Sequence, residues 1–181
     1  MRIRNQKQKS FRNRKKSFSG KGNQAFSSRS KINFKMKKIK NIFIEGPINP
    51  AFVAKSITKH TVKTNIGGHS IFLGQIREDA IDDKKVQAID FTTYEEMALE
   101  KAQEIREEII AKYGLTCAHI YHSLGEIKVG EICLFVFTSA EHRKEAINAC
   151  DEMVDRIKKE VPLWGKEILE DNSHTWKENK Q

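Results

Sequence analysis

The amino-acid sequence predicts an α+β fold, a two-layer sandwich of helices against a sheet, and three observations carry that expectation. Two long segments repeat apolar residues at helical spacing. Several short apolar runs alternate at strand spacing, and some of these follow one another with no helix between them. A doubly wound nucleotide-binding fold alternates strand and helix throughout, and neither GxGxxG nor GxxxxGK[ST] occurs in the chain.

The first 35 residues stand apart from the rest. They hold 12 of the 33 Lys and Arg residues of the 181-residue chain and no acidic residue. From Met36 onward 21 basic residues face 24 acidic ones, so the net charge of +9 resides in the N-terminal segment. With only scattered apolar residues among Ser, Asn, Gln and Gly, that segment buries too little surface to offset its ordering entropy. Residues 1–38 are therefore expected to be a disordered basic tail ahead of a domain over 39–177. Such a tail suits a nucleic-acid arm, an Arg- and Ser-rich transit-type leader, or an extension upstream of a start at Met36. It lacks the apolar core of a secretory signal, and no run elsewhere is long enough to span a membrane. The near-neutral remainder argues against nucleic-acid binding by the domain itself.

Within the domain, Asn41–Ile48 is a short apolar stretch, and Asn49 is a suitable N-cap for a helix over Ala51–Lys59. Gly67 and Gly68 introduce a strand over His69–Arg77, Glu78–Lys85 reads as an exposed acidic loop, and Val86–Tyr94 as the next strand. Glu95–Tyr113 is the clearest helix: Ala98, Ala102, Ile105 and Ile109 fall on one face and Gly114 supplies a C-cap. Thr116–Tyr121 and Glu131–Phe137 are strands, the second (ICLFVF) apolar enough to be central. Thr138-Ser139-Ala140-Glu141 reads as a capping box opening a helix with Ala146, Cys150, Met153 and Ile157 on one face, ended by Pro162. The three cysteines, Cys117, Cys133 and Cys150, form no CxxC pair and read as buried reduced thiols of a cytosolic protein. His119 and His122 match no zinc pattern and read as packing or surface residues, so no metal site is expected.

Three places could carry chemistry. His142 and Arg143 fall in the first turn of the last long helix, where free N–H groups and the positive dipole end favour an anion; solvated surface residues explain the pair equally well. Arg77 closes an apolar strand where loops converge, a position that suits a site residue or a plain surface Arg. Lys158 and Lys159 end the last long helix, where cations suit the dipole. A lysine packed near Pro162 and Trp164 would also be partly desolvated and fit for proton transfer or covalent chemistry.

Taken together, FLGQIR (Phe72–Arg77), YEEMA (Tyr94–Ala98), HSLGEIKVGE (His122–Glu131), SAEHRKEA (Ser139–Ala146) and DRIKKEVPLWGKE (Asp155–Glu167), followed by Trp176, resemble the large, catalytic subunit of molybdopterin synthase. The resemblance implies a hammerhead-like sandwich with a small extra β subdomain. It implies a sulfurtransferase of molybdenum cofactor biosynthesis that builds the dithiolene of molybdopterin on cyclic pyranopterin monophosphate. Sulfur would come from a thiocarboxylate on the Gly-Gly C-terminus of a small ubiquitin-like partner. The large subunit would be a cytoplasmic homodimer within a heterotetramer, with no cofactor, no metal and no membrane or nucleic-acid partner. By the same resemblance, Lys158 and Lys166 are the catalytic lysines, and Gln75, Ile76, Arg77, His142, Arg143, Lys158, Gly165, Lys166 and Glu167 bind substrate. The chain departs from the family where a lysine usually follows the Trp of P-x-W-K: Gly165 stands there and Lys166 one place later, so Lys166 is expected to substitute. The family's frequent His-Arg is His122-Ser123 here. The alternative to an active enzyme is an impaired relative that binds partner or pterin without turnover.

Because residues 1–35 hold the whole charge excess and match nothing in the family, their deletion should leave unfolding temperature and sulfur transfer unchanged. A large loss of either in the truncated protein would place the segment within the domain.

Overall fold

The computed structural model describes residues 39–176, and the expected tail over 1–38 lies outside them. The elements in order are β1 (Phe43–Glu45), α1 (Pro50–Thr58), β2 (Gly68–Gln75), β3 (Ala80–Ile81), β4 (Lys84–Thr93), α2 (Glu95–Tyr113), β5 (Cys117–Lys128), β6 (Ile132–Ala140), α3 (Arg143–Glu160), β7 (Leu163–Leu169) and β8 (His174–Trp176). Local chemistry fixes several boundaries. The Asn49 side chain accepts a 2.8 Å bond from the Ala51 N–H, with Pro50 at the first helical position of α1. Gly114 ends α2 in the left-handed conformation, φ 62°, its N–H bonded to the Ile110 carbonyl.

The strands make one sheet in the order β2-β6-β5-β4-β7-β8, with β1 parallel beside β5 and β3 beside β4. β5 joins its two parts: it pairs with β6 over Cys117–His122 and with β4 from Gly125 onward. Gly125, at φ +78°, makes the change of partner possible. The expected two-layer sandwich is present. One face of the sheet receives α2 and α3, whose Ala98, Ala102, Ile105, Ile109, Ala149 and Met153 are wholly buried against Ile120, Leu134 and Val136. On the other face α1 covers part of the sheet through Val53, against Phe135 and Phe137. β3, β4, β7 and β8 form the further β part.

Two local expectations need correction, and one strand had no expectation. The capping box at Thr138–Glu141 does not form, because the apolar run carries β6 on to Ala140. Thr138 is buried in the strand and donates to the Ala146 carbonyl at 2.7 Å, and His142 caps α3 without a side-chain bond. The Glu78–Lys85 loop contains a tight hairpin: Asp82 and Asp83 both adopt positive φ, as a two-residue turn requires, and pair β3 with β4. The segment after Pro162 is β7, a seven-residue strand beside β4 whose alternation was hidden by Gly165 and the charges around it.

His122 is buried at 7% exposure, its ring edge-on to Phe91 and its Nδ1 bonded to the Ser123 carbonyl. Burial lowers its pKa. A histidine with a lowered folded pKa stays neutral in the native state, while the unfolded chain takes up a proton below about pH 6.5; its stabilising contribution is complete above that pH and lost as pH falls. Denaturant unfolding of His122→Gln should therefore depend less steeply on pH than wild type between about pH 6.5 and 5. Equal slopes would mean that His122 does not titrate differently on unfolding.

Candidate functional site

The expected site residues distribute over the two ends of α3. At its start, the first-turn N–H groups receive no side-chain cap, and His142, Arg143 and Lys144 are all exposed beside them. A groove of about 510 Å³ is lined there by Gly67, Glu141, His142, Arg143, Lys144 and Glu145. Gly67 and Gly68 bring the start of β2 against it. A Cβ on Gly67 would stand 2.1 Å from the Glu141 carbonyl oxygen, and one on Gly68 3.0 Å from the Arg143 Cα, so only glycines let β2 begin so close to α3. Glu145 adds a carboxylate oxygen that is buried with no hydrogen-bond partner among the described residues. The sequence marked Gly67 and Gly68 only as a strand start and gave no sign of Glu145.

At the other end of α3, Lys158 is exposed, its ammonium 5.5 Å from the centre of the Phe72 ring on β2. The desolvation expected beside Pro162 and Trp164 is not met within one chain, where Trp164 is itself 51% exposed. Gln75 and Arg77 lie beyond Phe72 along the same segment. Arg77 is held by Asp79 through Nε and Nη2, at 2.5 and 3.0 Å. Ile76 has little to offer a ligand: its side chain is buried at 3% exposure, its N–H bonds the Glu131 carbonyl, and its carbonyl accepts from Gly130. It anchors the segment that presents Arg77.

β7 separates the remaining residues by simple alternation. Gly165 lies opposite Phe91, and Lys166 opposite Asp90, so the two leave opposite faces of the sheet. The Lys166 ammonium is 3.6 Å from Asp90. A Cβ on Gly165 would meet Ile89 Cγ2 at 2.9 Å and Phe91 at 3.2 Å, so Phe91 occupies the space into which a lysine at 165 would extend. Lys166 therefore leaves the other face of β7 from a side chain at 165. Glu167 shares the face of Gly165 and is 7% exposed, closed to a ligand in the single chain.

The fold is an α+β sandwich that carries cationic groups at both ends of one docked helix, a charge distribution suited to an anion. The MoaE protein family matches residues 45–160. The chain belongs to that family, the catalytic subunits of molybdopterin synthase, an enzyme of molybdenum cofactor biosynthesis. It is 37% identical over 143 residues to the molybdopterin synthase catalytic subunit of Pyrococcus abyssi, covering 79% of this chain and 88% of that one. It spans only 31% of the longer relative from Drosophila willistoni. Molybdopterin synthase from Staphylococcus aureus has the same fold at 29% identity and TM-score 0.67, over 76% of this chain and 96% of that one. A complex of subunits 1 and 2 of molybdopterin-converting factor from Helicobacter pylori shares the fold at 19% identity and TM-score 0.65, over 76% and 90%.

Gly67→Ala should force β2 away from α3, because backbone rather than a movable side chain meets the new Cβ. Thermal unfolding should show a loss of about 1–3 kcal/mol, the usual range for overpacking. An unchanged melting temperature would mean that the close approach at Glu141 is not required.

Proposed function

We propose that this chain transfers sulfur from the C-terminal thiocarboxylate of a small ubiquitin-like subunit to cyclic pyranopterin monophosphate, forming the dithiolene of molybdopterin and leaving a carboxylate on the partner. One observation carries the reading: family membership coincides with a cation-rich groove at the start of α3 and a lysine at its end. The groove has the volume of a small-ligand site. His142, Arg143 and the first-turn N–H groups hold the phosphate. Lys158 serves the sulfur transfer as proton donor or transient amine, and Arg77 with Gln75 binds beside it. Residues 39–177 carry the activity without 1–38.

The active site is shared between two copies. α3 runs without a break from Arg143 to Glu160, so Arg143 and Lys158 are about 22 Å apart at 1.5 Å per residue, too far for one small substrate. β2 ends the sheet order and exposes Ile71 and Leu73. Gly68 marks the Arg143 end of α3 along β2, and Phe72 the Lys158 end. Antiparallel pairing of β2 with its copy about a two-fold axis sets the Arg143 end of one protomer beside the Lys158 end of the other. One small subunit at each end completes a heterotetramer. The compartment that fits is the cytoplasm: Cys117, Cys133 and Cys150 are free and buried, and no helix among the described residues is long and apolar enough to cross a membrane. Gly165, in the place of a family lysine, favours one other reading, a subunit that binds without turnover.

The deciding assay mixes the purified chain with the thiocarboxylated small subunit and the cyclic precursor. Molybdopterin should form, and absence of product would establish the non-catalytic reading. Lys158→Ala should lower turnover at least about 10²-fold with the fold intact, while Lys166→Ala, altering a lysine turned toward Asp90, should stay within a few-fold of wild type. A dead Lys166→Ala would restore Lys166 as the substitute lysine. Mixing Arg143→Ala with Lys158→Ala subunits should regain activity, because one of the two sites in the mixed dimer then has both residues. A mixed dimer as inactive as its parents would refute the shared site.

A further inference from the structure

On the face of the sheet covered by α1, remote in role from the residues assigned above, two histidines and a cysteine converge. Cys117 and His119 are two residues apart on β5, so both side chains leave the same face. His60 reaches them from the turn that follows α1. Their ligating atoms all lie within 4.8 Å of one another, and the two Nε2 atoms are 3.0 Å apart. We propose that His60, Cys117 and His119 form a binding site for a thiophilic d10 metal ion, Zn²⁺ or Cu⁺, separate from the sulfur-transfer site and not dependent on it.

The hydrogen bonding already orients the ligands. His60 Nδ1 lies 2.6 Å from the Ser56 carbonyl. A carbonyl only accepts, so the proton is on Nδ1 and the Nε2 lone pair points at His119, the arrangement in which metal-binding histidines are commonly held. In the metal-free chain the contact between the two Nε2 atoms needs a proton on His119 Nε2, and a metal ion takes that proton's place. Burial and the nearby Lys40 charge keep His119 neutral, with its pKa lowered to about 4. Metal–nitrogen bonds of about 2.0 Å at a tetrahedral angle set the two nitrogens about 3.3 Å apart, a small opening from 3.0 Å. On binding, the His119 proton moves to Nδ1, and Cys117 releases its thiol proton to solvent and forms the metal–sulfur bond: one proton leaves per ion bound.

Two imidazoles and a thiolate are a borderline-to-soft donor set, which excludes Mg²⁺ and Ca²⁺. A cavity of about 140 Å³ opens onto the histidines, and Lys40, Lys55 and Lys59 line it. It leaves room for a fourth ligand on Zn²⁺. The lysines favour Cu⁺, which with one thiolate makes a neutral complex, over Zn²⁺, which leaves a positive one.

The test titrates the untagged full chain with Co²⁺ as the spectroscopic stand-in for Zn²⁺, and separately with Cu⁺ under anaerobic competition with a coloured chelator. At least one ion should bind at one per chain with release of one proton. Co²⁺ should give a sulfur-to-metal charge-transfer band that disappears in Cys117→Ser. His119→Gln should weaken the bound ion at least tenfold, and Cys133→Ser should change nothing. Circular dichroism of the metal-free variants checks the fold; if Cys117→Ser does not fold, His119→Gln decides, since that side chain is only half-buried. Binding of Cu⁺ alone or Zn²⁺ alone assigns the ion. Binding of neither, or affinity unaltered in both variants, overturns the site.

Discussion

The docking of α3 along the sheet is the constraint from which the site follows. Ala146, Ala149, Cys150, Met153, Val154 and Ile157 form an unbroken buried stripe, and Thr138 pins the first turn by donating to the Ala146 carbonyl. Burial of Met153, Val154 and Ile157 contributes on the order of 1.5–3 kcal/mol each, and the helix has no interior Pro or Gly at which to bend. A straight, clamped helix fixes both the position and the separation of its ends. His142 and Arg143 cannot approach Lys158 in the same chain, and that separation is the ground for the proposal of a site shared between two copies.

The surroundings of α3 use different physical devices at its two ends. At the start the device is absence: Gly67 and Gly68 lack the Cβ atoms that would strike Glu141 and Arg143, so β2 begins against the first turn of α3, and Gly67 lines the groove there. At the end the device is alternation. β7 follows at once and sends Gly165 and Lys166 to opposite faces, so a lysine moved one place along the chain is moved across the sheet. Asp90, opposite Lys166, gives that lysine a local partner.

The two faces of the sheet carry unlike chemistry because β5 alternates between them. Ala118 and Ile120 join the core under α2 and α3, whereas Cys117 and His119 face α1. The same period that buries one set of apolar residues brings a thiol and an imidazole together on the reverse, within reach of His60.

Much of this was determined by the sequence alone. The apolar spacing of α2, its Gly114 cap, the Asn49 cap of α1 and the central character of β6 are local properties, set within a few residues by backbone hydrogen bonding and side-chain period, and each appears as expected. The family was legible too, since five ordered motifs survive in one chain. What only the tertiary structure decided depends on neighbours distant in sequence. Thr138 and Ser139 have the side chains of a helix cap but lie in a strand, because β2 and β5 pair on either side of them. Ile76 sits in the FLGQIR segment yet turns into the core, and Lys166 follows Gly165 yet leaves the opposite face of β7. The meeting of His60 with Cys117 and His119 joins residues more than fifty positions apart, and no local spacing encodes it. Spacing along a chain fixes which face a side chain takes relative to its neighbours, while the packing of sheet and helices decides what that face meets.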